Sequence, residues 1–289
     1  MTRRFAVAAA LAALLALAAC KPASPPPAPA RPALWEVSGP DGQKGWLFGT
    51  IHALDKPRAW RTPAFGAALA ASDRVVVEVA DVAHPERIAP VFTALATSPG
   101  HPPLDQRVPP ALRPALADTL TRAGATGTDF SRVETWGAAL MLARAATPND
   151  AVDAGIDRAV LAAAGTKTVT ELEGAERQLA IFDSLPEDAQ RALLAATLEG
   201  GDDDARLAEA WARGDMDAIA RETTTGLMAN PALRDALLTR RNAAWSGAIA
   251  ALMRAGRHPF VAVGGAHMAG PGGLPARLAA AGFTVRRVQ

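Results

Sequence analysis

Residues 46–79 read WLFGTIHALDKPRAWRTPAFGAALAASDRVVVEV, and this stretch decides the fold. It begins with an apolar, β-rich run at 46–51, passes through Thr62-Pro63 into an alanine-rich segment that ends near Ala71, and closes on RVVVEV at 74–79. Proline at a first helical position brings a preset φ and gives up only an amide that has no partner there, so Pro63 opens a helix. Branched side chains fit a pleated surface, so 74–79 reads as a buried strand. The unit is strand, helix, strand. Upstream, LWEV at 34–37 and the turn signal Gly39-Pro40-Asp41-Gly42 add a first strand, joined to the second as a hairpin.

The same order returns at the other end of the chain. FVAV at 260–263 is a strand, residues 275–281 a helix and 283–288 a strand. LAASDRVV at 69–76 runs parallel to LAAAGFTV at 278–285, and each follows a strand that ends in Gly-x-x-His, a weak internal repeat. Between the two units, apolar residues at three- and four-residue spacing predict helices over most of 85–253, interrupted by a short strand at 169–172. The expected fold is α/β: a central mixed sheet built from two pseudo-repeated strand-helix-strand halves, with a large helical insertion. Open α/β sheets place ligands at loops leaving the carboxyl ends of their strands, so His52 and His267 are expected to face one site.

The first twenty residues read differently. Arg3 and Arg4 precede an unbroken apolar run at 5–19. Fifteen helical residues reach about 22 Å, short of the roughly 30 Å that a membrane span must cross, so this is the pattern of a signal peptide. Leu17-Ala18-Ala19-Cys20 resembles the lipobox at which bacterial lipoproteins are cleaved and acylated, and Cys20 is the only cysteine of the chain. The expected organisation is a lipoprotein signal peptide at 1–20, a proline-rich tether at 21–32 (KPASPPPAPARP) and one domain at 33–289. Such a product is exported and anchored to the membrane of the cell envelope by its N-terminal lipid. Lys21 after the cysteine points to the outer membrane, facing the periplasm.

Removing residues 1–20 takes away two arginines and no acid, so 30 basic against 29 acidic residues become 28 against 29, a net charge of −1. No basic run or aromatic ladder is present, which argues against a nucleic-acid partner. No Gly-x-Ser-x-Gly elbow, P-loop, dinucleotide fingerprint or HExxH helix occurs either.

Three positions carry the chemistry. His52 closes Gly49-Thr50-Ile51-His52, and His267 closes Gly264-Gly265-Ala266-His267; glycine allows close backbone approach, and histidine supplies a ligand or a base. The competing reading of His52 is a strand-end histidine hydrogen-bonded to backbone, and that of His267 is a glycine-rich turn with an incidental histidine. Glu78 stands inside a valine run, where an ionised carboxylate needs a cation beside it. Its competing reading is an edge strand with the carboxylate in water.

The segments at 34–37, 47–52 and 77–79 resemble the opening pattern of the TraB/GumN family. Gly155-Ile156-Asp157, Glu171-Leu172-Glu173 with Gln178, Arg241-Asn242 with Trp245, and 263–267 with Gly270 match its later blocks in order. One position departs: the family's usual Gly-x-Gly-His-Leu is Gly264-Gly265-Ala266-His267-Met268 here, which leaves the spacing intact. The resemblance, which extends to TIKI proteases and more distantly to erythromycin-esterase-like and ChaN-like proteins, implies metal-dependent peptide cleavage by His52, Glu78 and His267, with Arg241 and Glu173 in a second rank.

Three functions fit these residues. The first is a metal-dependent hydrolase, peptidase-like, in which His52, His267 and a carboxylate hold a divalent cation (manganese, cobalt or zinc), and Arg241 stabilises the oxyanion. The second is a metal-independent esterase or amidase with a histidine general base. The third is a non-catalytic envelope lipoprotein that binds a ligand. Whether Glu78 or Glu173 supplies the carboxylate stays open, as does the choice between a peptide and a small-molecule substrate.

Overall fold

The computed structural model describes residues 29–54, 58–200 and 202–289, without the side chains of 202–204. The expected signal peptide, Cys20 and all of the tether before residue 29 lie outside the described residues.

Six strands form one mixed sheet: β1 (Leu34–Ser38), β2 (Lys44–Thr50), β3 (Arg74–Val77), β4 (Thr168–Glu171), β5 (Pro259–Gly264) and β6 (Thr284–Arg287), in the order β4-β3-β5-β2-β1-β6. β4, β3, β5 and β2 run parallel; β1 is antiparallel to both β2 and β6. The hairpin forms where the turn signal predicts it, with Gly42 at φ 81°, a left-handed conformation that glycine adopts without a Cβ clash.

Alternation along the strands divides the core. Phe48, Val75, Val77 and Phe260 face one side, covered by helix Pro63–Ala71 through Phe65 and by helix Ile156–Ala163 through Ile156 and Val160. Leu47, Val76, Val261 and Val263 face the other, covered by helices Arg240–Arg254 and Leu274–Ala280. A third cluster, around Trp136, Leu142 and Leu194, belongs to the helical insertion.

Both strand-helix-strand units keep the expected order of elements, yet they differ in placement. The first crosses from β2 over β5 to β3, the second from β5 over β2 and β1 to β6, and their helices cover opposite faces of the sheet. That is the outcome right-handed crossovers require when the two connections run in opposite directions along the sheet. At the other terminus, the packed domain reaches back past Ala33. Ala30 is 1% exposed and its N–H donates to the Ala59 carbonyl, while that of Arg31 donates to Ala212.

Candidate active site

The four parallel strands end on one edge of the sheet, and each delivers a polar side chain just past its last residue: His52 after β2, Glu78 after β3, Glu173 after β4 and His267 after β5. β2 and β5 are neighbours, so the two Gly-x-x-His loops leave side by side. β3 lies between β4 and β5, which makes it an interior strand, and Glu78 is 8% exposed. The solvated edge-strand reading of Glu78 therefore does not apply.

Arg241 joins three of these groups. It comes from the first turn of helix Arg240–Arg254, directly after a π-helical turn at Asp235–Thr239. Its Nε donates to Glu173 Oε1 at 2.8 Å, and its Nη2 donates to Glu173 Oε2 at 2.9 Å and to Glu78 Oε2 at 2.7 Å. Its Nη1 donates to the Leu237 carbonyl at 3.0 Å and to His267 Nε2 at 3.2 Å. A guanidinium has five N–H groups, and all five are used. Arg241 consequently has no N–H left for a developing oxyanion in this arrangement, which corrects the role expected for it. Its planar fork also lies over the Trp245 ring, with the guanidinium carbon 4.5 Å from the ring centroid.

Glu78 accepts three hydrogen bonds, which leaves one lone pair on Oε1. Oε1 accepts from the Gly264 N–H at 2.7 Å, and Oε2 accepts from Gln178 Nε2 at 3.1 Å besides Arg241. Burial pushes its carboxyl up, but His267, Arg241, His52 and the Gly264 amide outweigh burial and hold it below the usual 4.5. Because His267 is itself held neutral, the charge in direct contact with Glu78 is that of Arg241, with His52 across the shared cavity adding to it.

The tautomer of His267 follows from its partners. Asn242 Nδ2 donates to the Gly272 carbonyl, which fixes the amide and leaves Asn242 Oδ1 as an acceptor, 2.6 Å from His267 Nδ1. Nδ1 therefore carries the proton, and Nε2, facing Arg241, is the bare nitrogen. Burial, helped by the charges of Arg241 and His52, lowers the His267 pKa to about 4 against the pull of Glu78. The ring is neutral at pH 7.

His52 is placed in the opposite way. Its side chain is 77% exposed, and Nδ1 lies 2.7 Å from Asp157 Oδ2; Thr50 Oγ1 donates to the other oxygen of Asp157. The loop that carries His52 is pinned by the Ile156 N–H, which donates to the Ile51 carbonyl at 2.8 Å. Gly155 packs so close beneath it that a Cβ there would collide with the His52 carbonyl. The Asp157 charge and hydrogen bond raise the His52 pKa to about 9. Water reaches so much of the ring that it screens part of this attraction. Burial pushes the Asp157 carboxyl up, and His52 and Thr50 pull it net below its ordinary value, so it is ionised and acts only as an acceptor. His52 Nδ1 accordingly donates to it, and Nε2 is the nitrogen that changes protonation. Among the described residues no partner for His52 Nε2 is found.

His52, Asp157, Glu78 and Gln178 line a common cavity of about 20 Å³, closed on its other sides by Val77, Val79, Val82 and Leu161. That is room for one water. Glu78 thus stands between the two imidazoles: it shares the cavity with His52, and its Oε1 lies 3.9 Å from His267 Nε2. Asp157, Asn242 and Gln178 complete the arrangement. The sequence reading did not single them out; the only signal for each was its place in a family block.

As arranged, His52, Glu78 and His267 do not fit a metal. Both nitrogens of His267 are engaged, both oxygens of Glu78 accept hydrogen bonds, and the guanidinium of Arg241 occupies the place of the cation between them. Among the described residues no group of three or more His, Cys, Asp or Glu side chains is placed to hold a metal ion. The other histidines are apart from the site: His84 is exposed, His101 bonds to Ser98, and His258 Nδ1 lies 3.2 Å from the Lys44 carbonyl.

Comparison with known proteins covers nearly the whole described domain. The sequence profile of the TraB/PrgY/gumN family matches residues 33–287. A Shigella flexneri protein named uncharacterized protein YbaP is 31% identical over 253 residues, covering 86% of this chain and 92% of that protein. The Escherichia coli K12 protein of the same name matches with the same identity and coverage. No solved structure matches. The chain belongs to the TraB/PrgY/gumN family.

Proposed function

We propose that this domain is a hydrolase of ester or amide bonds in which His52, oriented by Asp157, is the general base. The observation that carries this reading is the 2.7 Å His52–Asp157 pair at the mouth of a water-sized cavity. Neutral His52 takes a proton at Nε2 from the attacking water. Asp157 stabilises the imidazolium that forms, and the same proton is then given to the leaving group. One carbonyl-to-leaving-group bond breaks, one carbonyl-to-oxygen bond forms, and no redox step is involved. Gln178, which lines the cavity and whose amide has a second N–H beyond the one given to Glu78, serves as a neutral donor to the carbonyl oxygen. Arg241, Glu78, Glu173 and His267 act as the internal scaffold that sets the edge of the cavity.

The metal-dependent alternative requires Arg241 to leave Glu78 and His267. Hydrolysis of an ester and amide panel, measured with and without chelator beside His52→Ala, separates the two. Cleavage that survives chelation and is lost in the variant supports the reading. A stoichiometric cation in the purified protein, lost together with activity on chelation, overturns it.

We further propose that the mature protein is lipid-anchored through Cys20 in the cell envelope, at the periplasmic face of the outer membrane. The apolar run before that cysteine supports this. Cys20→Ala should abolish acylation and release the protein from the membrane fraction; retention of the variant there would count against the anchor.

A further inference from the structure

His52 has a second neighbourhood. Besides the small polar cavity shared with Glu78, it lies in the wall of a cleft of about 500 Å³ between the edge of the sheet and the helical insertion. The walls of that cleft are set by Ile51, Ala143, Ala146, Leu198, Leu207 and Ala208. The described residues that line it include no aromatic and no acidic side chain, and its charged groups are His52 and Arg122. A second cavity, of about 570 Å³, shares Thr197, Gly200 and Leu207 with it and reaches Ala266, next to His267; Glu199 and Glu222 are the acidic residues on its lining. Together the two cavities touch both Gly-x-x-His loops, at Ile51 and His52 in the first and at Ala266 in the second.

From this we infer that the cleft takes an unbranched acyl chain, so that the substrates are acyl esters or amides with the chain in the cleft and the carbonyl beside His52. The assignment rests on the hydrolase reading given above and adds the substrate class to it. Three features point to a chain of methylenes. Thr119, Thr147 and Thr197 also line the cleft, but the hydroxyls of Thr147 and Thr197 donate to the Ala143 and Leu193 carbonyls and that of Thr119 accepts from Arg122, so the mainly alanine and leucine walls leave few side-chain hydrogen bonds for the amides of a bound peptide backbone. Five alanines, Ala53, Ala143, Ala146, Ala205 and Ala208, keep the lining short, and a cleft of this volume is in the range of a small-molecule site. His52 separates a polar cavity sized for one water from an apolar cleft, which sets water and acyl chain on opposite sides of the same carbonyl. The imidazolium of His52 then complements the carboxylate of the product.

The test uses the products as probes. Purified protein is titrated calorimetrically with decanoate and with butyrate, below the micelle concentration, and p-nitrophenyl esters of the same acids are assayed in parallel. A fully buried methylene strengthens binding about fourfold, so six of them, even partly buried, should make decanoate bind at least about tenfold tighter than butyrate. Ala143→Trp and Ala146→Trp fill the cleft from the rim and should erase that preference with the unfolding midpoint unchanged. Equal binding of the two acids, no binding of either, or a preference untouched by both tryptophans overturns the assignment. Tight, variant-sensitive decanoate binding without cleavage of any ester would keep the acyl cleft and defeat the hydrolase reading, so the two fail separately.

Discussion

Replacing Arg241 by methionine should cost the domain much of its stability, and the loss should depend on pH. The guanidinium donates to Glu78, Glu173, His267 and one carbonyl, while the Glu78 and Glu173 side chains are only 9% and 10% exposed. Methionine keeps the apolar stem and removes every donor. Glu173 then loses its guanidinium on both oxygens, and Glu78 keeps only Gln178 and the Gly264 amide. Breaking a buried ion pair from one side costs about 3–5 kcal/mol, a large part of the roughly 5–15 kcal/mol that holds a domain together. At a urea m-value near the upper end of the usual range, about 3 kcal/mol/M, the unfolding midpoint should fall by about 1 to 2 M at pH 7. In the native protein the Glu78 carboxyl is held below its ordinary pKa, so its contribution is present above pH 4.5 and fades only as pH falls through the lowered value. In the variant, burial dominates and pushes that pKa up, so protonation relieves the stranded charge. The gap between variant and native protein should therefore narrow from pH 7 to pH 5. Glu78→Gln on the Arg241→Met background should recover part of the loss at pH 7. A variant within about 1 kcal/mol of native at pH 7, or a gap that widens on acidification, would refute the view of Arg241 as the cation that neutralises this cluster.

Other perturbations separate the two histidines. His267 is neutral in the fold with a pKa near 4 against 6.5 unfolded, so it supports stability above pH 6.5 and withdraws it as pH falls toward 4. The urea unfolding free energy of the native protein should drop more than that of His267→Gln between pH 7.5 and 4.5, by about 2 to 3 kcal/mol, and parallel curves would speak against a buried neutral ring. Asp157→Asn removes the main cause of the raised His52 pKa. The base works when deprotonated, so the ascending limb of kcat/KM should move from toward 9 down toward 6.5, with the plateau lowered about a hundredfold or more; an unmoved limb would exclude the dyad. Gly155→Ala forces a Cβ against the His52 and Val152 carbonyls. It should cost about 1–3 kcal/mol and lower kcat/KM more than it disturbs the tryptophan fluorescence of Trp245 beside Arg241.

Much of this architecture is legible in the residues. The valine run at 74–79, the alternation at 260–263 and the prolines at helix starts place the strands and the flanking helices, because those signals are local. The strand itself ends at Val77, since Glu78 leaves the ladder to accept from the Gly264 amide, a tertiary bond between residues far apart in the chain. Glu78, His267, Arg241 and Glu173 all lie in one cluster, and His52 borders it through the shared cavity. What stayed hidden was who holds whom. Asp157 opens a helix 105 positions after His52, and nothing in the periodicity of either segment pairs them. The tautomer of His267 depends on an Asn242 amide fixed by the Gly272 carbonyl, a relation between a helix and a loop. Ala30 looks like part of a proline-rich spacer, yet it is buried against the loop at Ala59, a docking that composition does not encode.

The division of labour between an exposed, paired His52 and a sealed, neutral His267 can be read in a single sample by nitrogen-15 NMR of the imidazole rings from pH 4.5 to 10. His52 should titrate well above 6.5, toward 9, while His267 should hold its proton on Nδ1 and stay neutral across the range above about pH 5. Two rings titrating together near 6.5, or a His267 whose Nδ1 proton is absent at neutral pH, would contradict the assignment of proton transfer to His52 and of scaffolding to Arg241.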